Sequence, residues 1–185
     1  SHWQAGAVLD VSRNRYVATL RVRTDLVSLA YLAVGIATRY NHALLMVERN
    51  NHGHAVLATI ESIGYDNIYF HREHSNALRS GEMRQGWPTR ASDTKPLMIQ
   101  TFTEAFNAGA LELDDLDALR EISQYRFFDP RTKGGQGKGR YGPPSGGTDD
   151  LLDCLMGCLM GREFASTGQR APVTHYGVTA GARRL

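Results

Sequence analysis

The chain has 185 residues, 42% hydrophobic and 22% charged, with a net charge of +2. That length supports one domain with a substantial core, hiding roughly 70% of the unfolded surface, and the mild positive balance permits a nucleic-acid partner without demanding one. No apolar run approaches the roughly 18 residues of a membrane span, no secretory leader pattern opens the chain, and Cys154 and Cys158 alone cannot build a zinc site.

"AGAVLDV" (5–11) and "RYVATLRVR" (15–23) read as two strands joined by the short turn "SRN". The second alternates Tyr16, Ala18, Leu20, Val22 against Val17, Thr19, Arg21, Arg23, so the hairpin has one wetter face. "TDLVSLAYLAVGIATRYN" (24–41) predicts a helix, capped by Thr24 or Asp25 and apolar along Leu26, Leu29, Leu32, Val34 and Ile36. "ALLMVE" (43–48) is a nearly unbroken apolar strand, the pattern of a strand covered on both faces. A second helix is expected over 53–64 and another strand over 67–72.

The stretch 73–94 is polar and glycine-bearing, a loop with room for a small hairpin. "KPLMIQTFTEAFNAG" (95–109) predicts a helix, with Pro96 in its first turn and Gly109 at its exit. Residues 113–129 open with a helix cap and end near a strand; 130–147 form a Gly/Pro/Lys loop. "TDDLLDCLMGCLMGREF" (148–164) is a strongly apolar helix, on which the two cysteines share a face as reduced core residues. The last stretch, 165–185, has no periodicity and is expected to be a flexible tail. The alternation of hairpin, helix, strand, helix and strand gives a mixed α/β order.

Glu48 closes the apolar strand, and Asp149, Asp150 and Asp153 open the last helix after a glycine-rich loop. One reading is a helix start, with Thr148 as cap and aspartates in the positive first turn. The other gathers these carboxylates around hard divalent cations, since Mg²⁺ takes one or two carboxylates plus substrate phosphate oxygens. Spacing leaves both open. "HREH" (71–74) and "HGH" (52–54) lack the HExxH pattern and read as solvated histidines. "KGGQGKGR" (133–140) lacks Walker A spacing, so no ATPase is indicated; its Lys133, Lys138 and Arg140, with Tyr141, suit either a DNA-backbone contact or a solvated linker.

"YNHALLMVERNNHGHAVL", "GWPTRASDTKPLMIQTFTEAFNAGALEL" and "GGTDDLLDCLMG", in that order, resemble the nuclease domain of phage large terminase subunits. The resemblance covers roughly 5–164 and implies a ribonuclease-H-like (RuvC-like) mixed central sheet flanked by helices. Over 1–164 it implies a metal-dependent DNA endonuclease that cuts concatemeric DNA with little sequence preference. It implies Glu48, Asp149 and Asp150 as catalytic metal ligands, with Asp153 one turn on as support and Thr148 where the family commonly has histidine. Lys95, in the "TKP" block, is a candidate backbone contact alongside Lys133, Lys138 and Arg140.

The family's first strand, with its catalytic aspartate, has no counterpart before the hairpin; it falls upstream of Ser1, or else Asp10 is the first acid. Further implications are two Mg²⁺ or Mn²⁺ ions in the complete domain and double-stranded DNA as substrate. An ATPase domain N-terminal in the parent chain, portal and small-terminase partners, no membrane contact and a bacterial cytoplasmic location also follow. The competing readings are a Holliday-junction resolvase or related nuclease, and a non-catalytic DNA-binding or portal-docking module.

Overall fold

The computed structural model describes residues 3–50, 52–72, 81–129 and 139–165. The expected hairpin forms from β1 (Gln4–Asp10) and β2 (Arg15–Val22), paired antiparallel with a bulge between Val8 and Leu9. Its turn is built locally: the Asp10 carboxylate accepts from Ser12 N (2.9 Å) and Ser12 Oγ (2.7 Å), and Asn14 adopts φ 51°, a left-handed conformation asparagine tolerates. Helix α1 (Leu26–Arg39) starts at Asp25, whose carboxylate accepts from Ser28 N at 2.9 Å; the cap is Asp25 rather than Thr24. Helix α2 (Gly53–Ile63) ends on Gly64 at φ 82°, the left-handed exit that favours glycine.

The segment 43–49 between these helices is extended, and its side chains alternate between two cores. Leu44 and Met46 pack against one cluster, built around Tyr16, Trp87, Met98, Leu151, Leu155 and Met156. Ala43, Leu45 and Val47 pack against the other, around Ala30, Val56, Leu57, Ile60 and Ile68. A strand apolar on both faces has this period-two division, so the unbroken apolar run is explained by burial on both sides.

Downstream, β3 (Phe70–Arg72) pairs antiparallel with β4 (Met83–Gln85), the small hairpin for which 73–94 had room. Helix α3 (Thr94–Asn107) carries Pro96 in its first turn and is followed by Gly109 at φ 64°. Asp115 caps α4 (Leu116–Gln124) through Ala118 N at 2.7 Å. Then β5 (Arg126–Phe128) pairs with β6 (Arg140–Gly142), and α5 (Asp150–Gly161) runs into a 3-10 turn, Arg162–Phe164.

The architecture is mixed α/β, with five helices and three two-stranded antiparallel ladders among the described residues. It differs from the expected continuous central sheet. Segment 43–49 bonds backbone to backbone through Leu45, Val47 and Arg49, reaching Asn67, Tyr69 and Trp87. Alternate residues direct their peptide groups to one edge, so only that edge is paired. Among the described residues no backbone bond joins 43–49 to the hairpin; α5 bridges them instead. Tyr16 donates its hydroxyl to Leu155 O (2.8 Å), the Cys158 thiol lies 3.3 Å from Ala7 O, and Gly161 abuts Met46.

No helix of the described residues is long and apolar enough to cross a membrane. Both cysteines are reduced, and burial pushes their thiols up, Cys158 to about 12, which makes them inert core groups. Lys133, Lys138 and the expected tail from 166 onward lie outside the described residues.

Candidate functional site

Glu48 takes its direction from the parity of the extended segment 43–49, which forms isolated bridges at Leu45 and Glu48 in place of the expected strand. It shares a face with Leu44 and Met46, the face turned to α5, while Val47 and Arg49 point the other way. Two backbone bonds to Trp87 clamp the residues on either side: Trp87 N to Val47 O (2.8 Å) and Arg49 N to Trp87 O (2.7 Å). Two glycines permit this packing. A Cβ at Gly53 would fall 1.7 Å from the Glu48 carbonyl oxygen, and one at Gly86, already at φ 81°, would fall 2.7 Å from Val47 O.

The head of α5 is not capped from its own sequence. Thr148, expected as the cap, instead donates its hydroxyl to Glu121 Oε1 (2.8 Å), and Asp149 at the N-cap position makes no capping bond. The amides of Leu151 and Leu152 donate to Glu121 Oε2, at 2.8 and 3.0 Å. Glu121 comes from α4, is 5% exposed, and is ion-paired with the Arg21 guanidinium from β2. A helix's first amides lack intrahelical partners, and here a distant carboxylate satisfies two of them. Asp150 also sits on this side, 3.7 Å from Arg21. Burial and the Glu121 charge push Asp150 up, while Arg21 opposes them.

The charge of Asp149 acts on Asp150 and Asp153 of the same helix and on Tyr125. Asp153, one turn along α5, is half-buried and ion-paired with Lys95 from α3. Burial lifts Asp153 to about 6 despite Lys95, and the charges of Asp149 and Glu48 push it the same way. Asp153 thus feels the charges of both Glu48 and Asp149. Lys95 reaches this point because the "GWPTRASDTKP" block is tightly tied: Thr94 Oγ bonds Pro88 O, Arg90 N bonds Thr94 Oγ (2.7 Å), and Asp93 caps α3.

Tyr125, at the end of α4, completes the rim. Its hydroxyl oxygen is buried with no hydrogen-bond partner among the described residues, its ring lies under Lys95 (Nζ 5.9 Å from the centroid), and burial with Asp153 and Asp149 pushes its ionisation up. Tyr125 stacks on Tyr141 at 6.3 Å, so β5 and β6, with exposed Arg126 and Arg140, flank the acids.

Asp10 stands apart. Its carboxylate is engaged in the hairpin turn, whose Asn14 bonds Arg162 just past the C-terminal end of α5, opposite the aspartates at its head. Glu121, Arg21 and Tyr125 were not singled out by sequence reasoning. Glu121 left one signal: it lies on the apolar side of α4 with Ala118, Ile122 and Tyr125, at helical spacing.

Chemically the arrangement offers hard oxygen donors. Among the described residues, neither the Glu48 nor the Asp149 side chain makes a hydrogen bond or ion pair, and no three His, Cys, Asp or Glu side chains close into a metal cage. A closed cage is not required of Mg²⁺-class ions, which keep several waters and complete their shell with phosphate oxygens. The donor set fits such an ion.

No family model matches this chain, and no curated protein matches it. Among solved structures it is similar to the large terminase nuclease from thermophilic phage G20c with bound cobalt, at TM-score 0.67 and 15% identity. The match covers 85% of this chain and 80% of that one. The fold is that of a phage large-terminase nuclease. The three-dimensional likeness agrees with the resemblance carried by the three sequence blocks.

Proposed function

We propose that this chain is a divalent-metal-dependent endonuclease domain, ribonuclease-H-like in type, acting on double-stranded DNA in viral DNA packaging. The observation that carries this reading is a fold shared with a phage terminase nuclease crystallised with cobalt, in which Glu48 and Asp149 lie near enough to Asp153 for their charges to act on it. Glu48 and Asp149 are the residues that would hold Mg²⁺ or Mn²⁺; Asp150, beside Arg21, supports the helix head. Bound there, the ion supplies Lewis-acid activation of water and of the scissile phosphate.

The chain's own residues do the rest. Lys95 neutralises Asp153, which keeps the negative charge beside an incoming phosphate in check. Arg126 and Arg140 offer phosphate contacts from the adjoining strands. Lys133 and Lys138 extend that basic strip along the sequence. Such contacts follow the backbone, so sequence preference is weak. In the parent protein this reading adds an N-terminal ATPase, a portal and a small terminase subunit as partners.

Supercoiled plasmid incubated with Mn²⁺, Mg²⁺ or EDTA tests the proposal. Nicking appears with the ions, disappears with EDTA, and falls by about a hundredfold or more in Glu48→Ala and in Asp149→Ala. Junction-selective cutting would favour a resolvase. Tight DNA binding with no nicking under any ion would favour a docking module.

A further inference from the structure

We propose that Glu121, backed by Arg21, is a positioning residue that sets the rotation and height of the α5 head, and thereby aims Asp149 at Glu48 and Asp153. The role rests on the nuclease reading above. It is argued from the way α5 begins. The helix that presents the acids has no capping bond from its own N-cap residue. Its amides at Leu151 and Leu152 are held by one carboxylate oxygen of Glu121, while the other oxygen takes the Thr148 hydroxyl and the Arg21 guanidinium. Arg21 also donates to Thr148 Oγ at 2.9 Å and lies 3.7 Å from Asp150.

Thr148 and Asp150, the neighbours of Asp149 on either side, are thus engaged by the Arg21–Glu121 pair, while the Asp149 side chain makes no capping bond. A cap from Asp149, the N-cap residue, would have used an acid of the head itself. Capping from α4 spares it and fixes the head to β2 and α4 together. Side chains that orient ligands are felt in metal affinity and turnover.

The test compares the 185-residue chain with Glu121→Gln, Glu121→Ala and, as control, Asp117→Ala, an exposed acid on the same helix. Glutamine keeps an acceptor for the two amides but sets its own amide hydrogens against Arg21; alanine loses both functions. With all variants folded by circular dichroism, Mn²⁺ affinity by calorimetry weakens about tenfold in Glu121→Gln and further in Glu121→Ala. The turnover number for plasmid nicking falls about tenfold while KM for DNA stays within about twofold, since binding surfaces are untouched. Hydrogen exchange at Leu151 and Leu152 accelerates in Glu121→Ala. Folded variants with the affinity and turnover of Asp117→Ala overturn the proposal. A wild-type chain that neither binds Mn²⁺ nor nicks DNA overturns the nuclease reading; unchanged exchange at Leu151 and Leu152 in Glu121→Ala overturns the positioning role in either case.

Discussion

Asp153 carries the sharpest consequence at the scale of a single residue. Its carboxyl is lifted from the ordinary 3.8 to about 6, first by burial, with Lys95 opposing and Asp149 and Glu48 adding to the rise. The folded chain therefore holds this proton more tightly than the unfolded chain does. Stability from this group is fully present below about pH 4, falls as pH rises toward about 6, and is flat above that, a change of about 2–3 kcal/mol. Asp10, Asp25, Asp93 and Asp115 are shifted downward by hydrogen bonds and act in the opposite sense at lower pH. The comparison that isolates Asp153 is urea unfolding of wild type against Asp153→Asn from pH 4 to 8. The variant loses the decline between pH 4 and 6; parallel curves for the two proteins would contradict the buried-acid account.

At the scale of elements, the site depends on how closely α2 approaches the strand end. Gly53 opens α2 directly over the Glu48 carbonyl, where a methyl group would lie at 1.7 Å. That neighbour is backbone and cannot swing aside as a side chain would. Gly53→Ala should cost about 3 kcal/mol, the upper end for a steric insertion, and should displace Glu48. Thermal unfolding reads the first effect and Mn²⁺ binding the second. A variant with wild-type stability would mean that α2 pivots freely at its start. The "NNHG" stretch after Glu48 is thus more than a loop: its glycine lets a helix begin where the acid must be held.

Across the whole molecule, charge is nearly balanced, at +2, so the proposed DNA binding rests on local clustering rather than on a general positive field. Arg126 and Arg140 are exposed on β5 and β6, beside Tyr125 and the acids. If each meets one phosphate, Arg126→Ala with Arg140→Ala lowers the slope of log affinity against log salt by about 2. Fluorescence anisotropy with a labelled duplex across a salt series, in EDTA, measures this without cleavage. A slope unchanged by the double substitution would place the DNA on another face.

The sequence by itself determined the helices, the hairpin turn and the order of blocks that pointed to a terminase-like nuclease. Those features rest on interactions within a turn or so of chain: Asp25 with Ser28, Asp115 with Ala118, Gly64 after α2, and apolar spacing along each helix. Even the two-sided burial of 43–47 was legible, because an unbroken apolar run has no wet face to offer. Only the tertiary structure decided that Glu121 rather than Thr148 holds the head of α5, that Asp150 turns to Arg21, that Lys95 meets Asp153, and that α5 rather than a continuous sheet joins the hairpin to the acid-bearing strand. These contacts link residues 30 positions apart for Glu121 and Leu151 and 58 for Lys95 and Asp153. At such separations local pattern carries no preference between one carboxylate and the next; the choice belongs to packing, which selects the charge that can be buried with its partners.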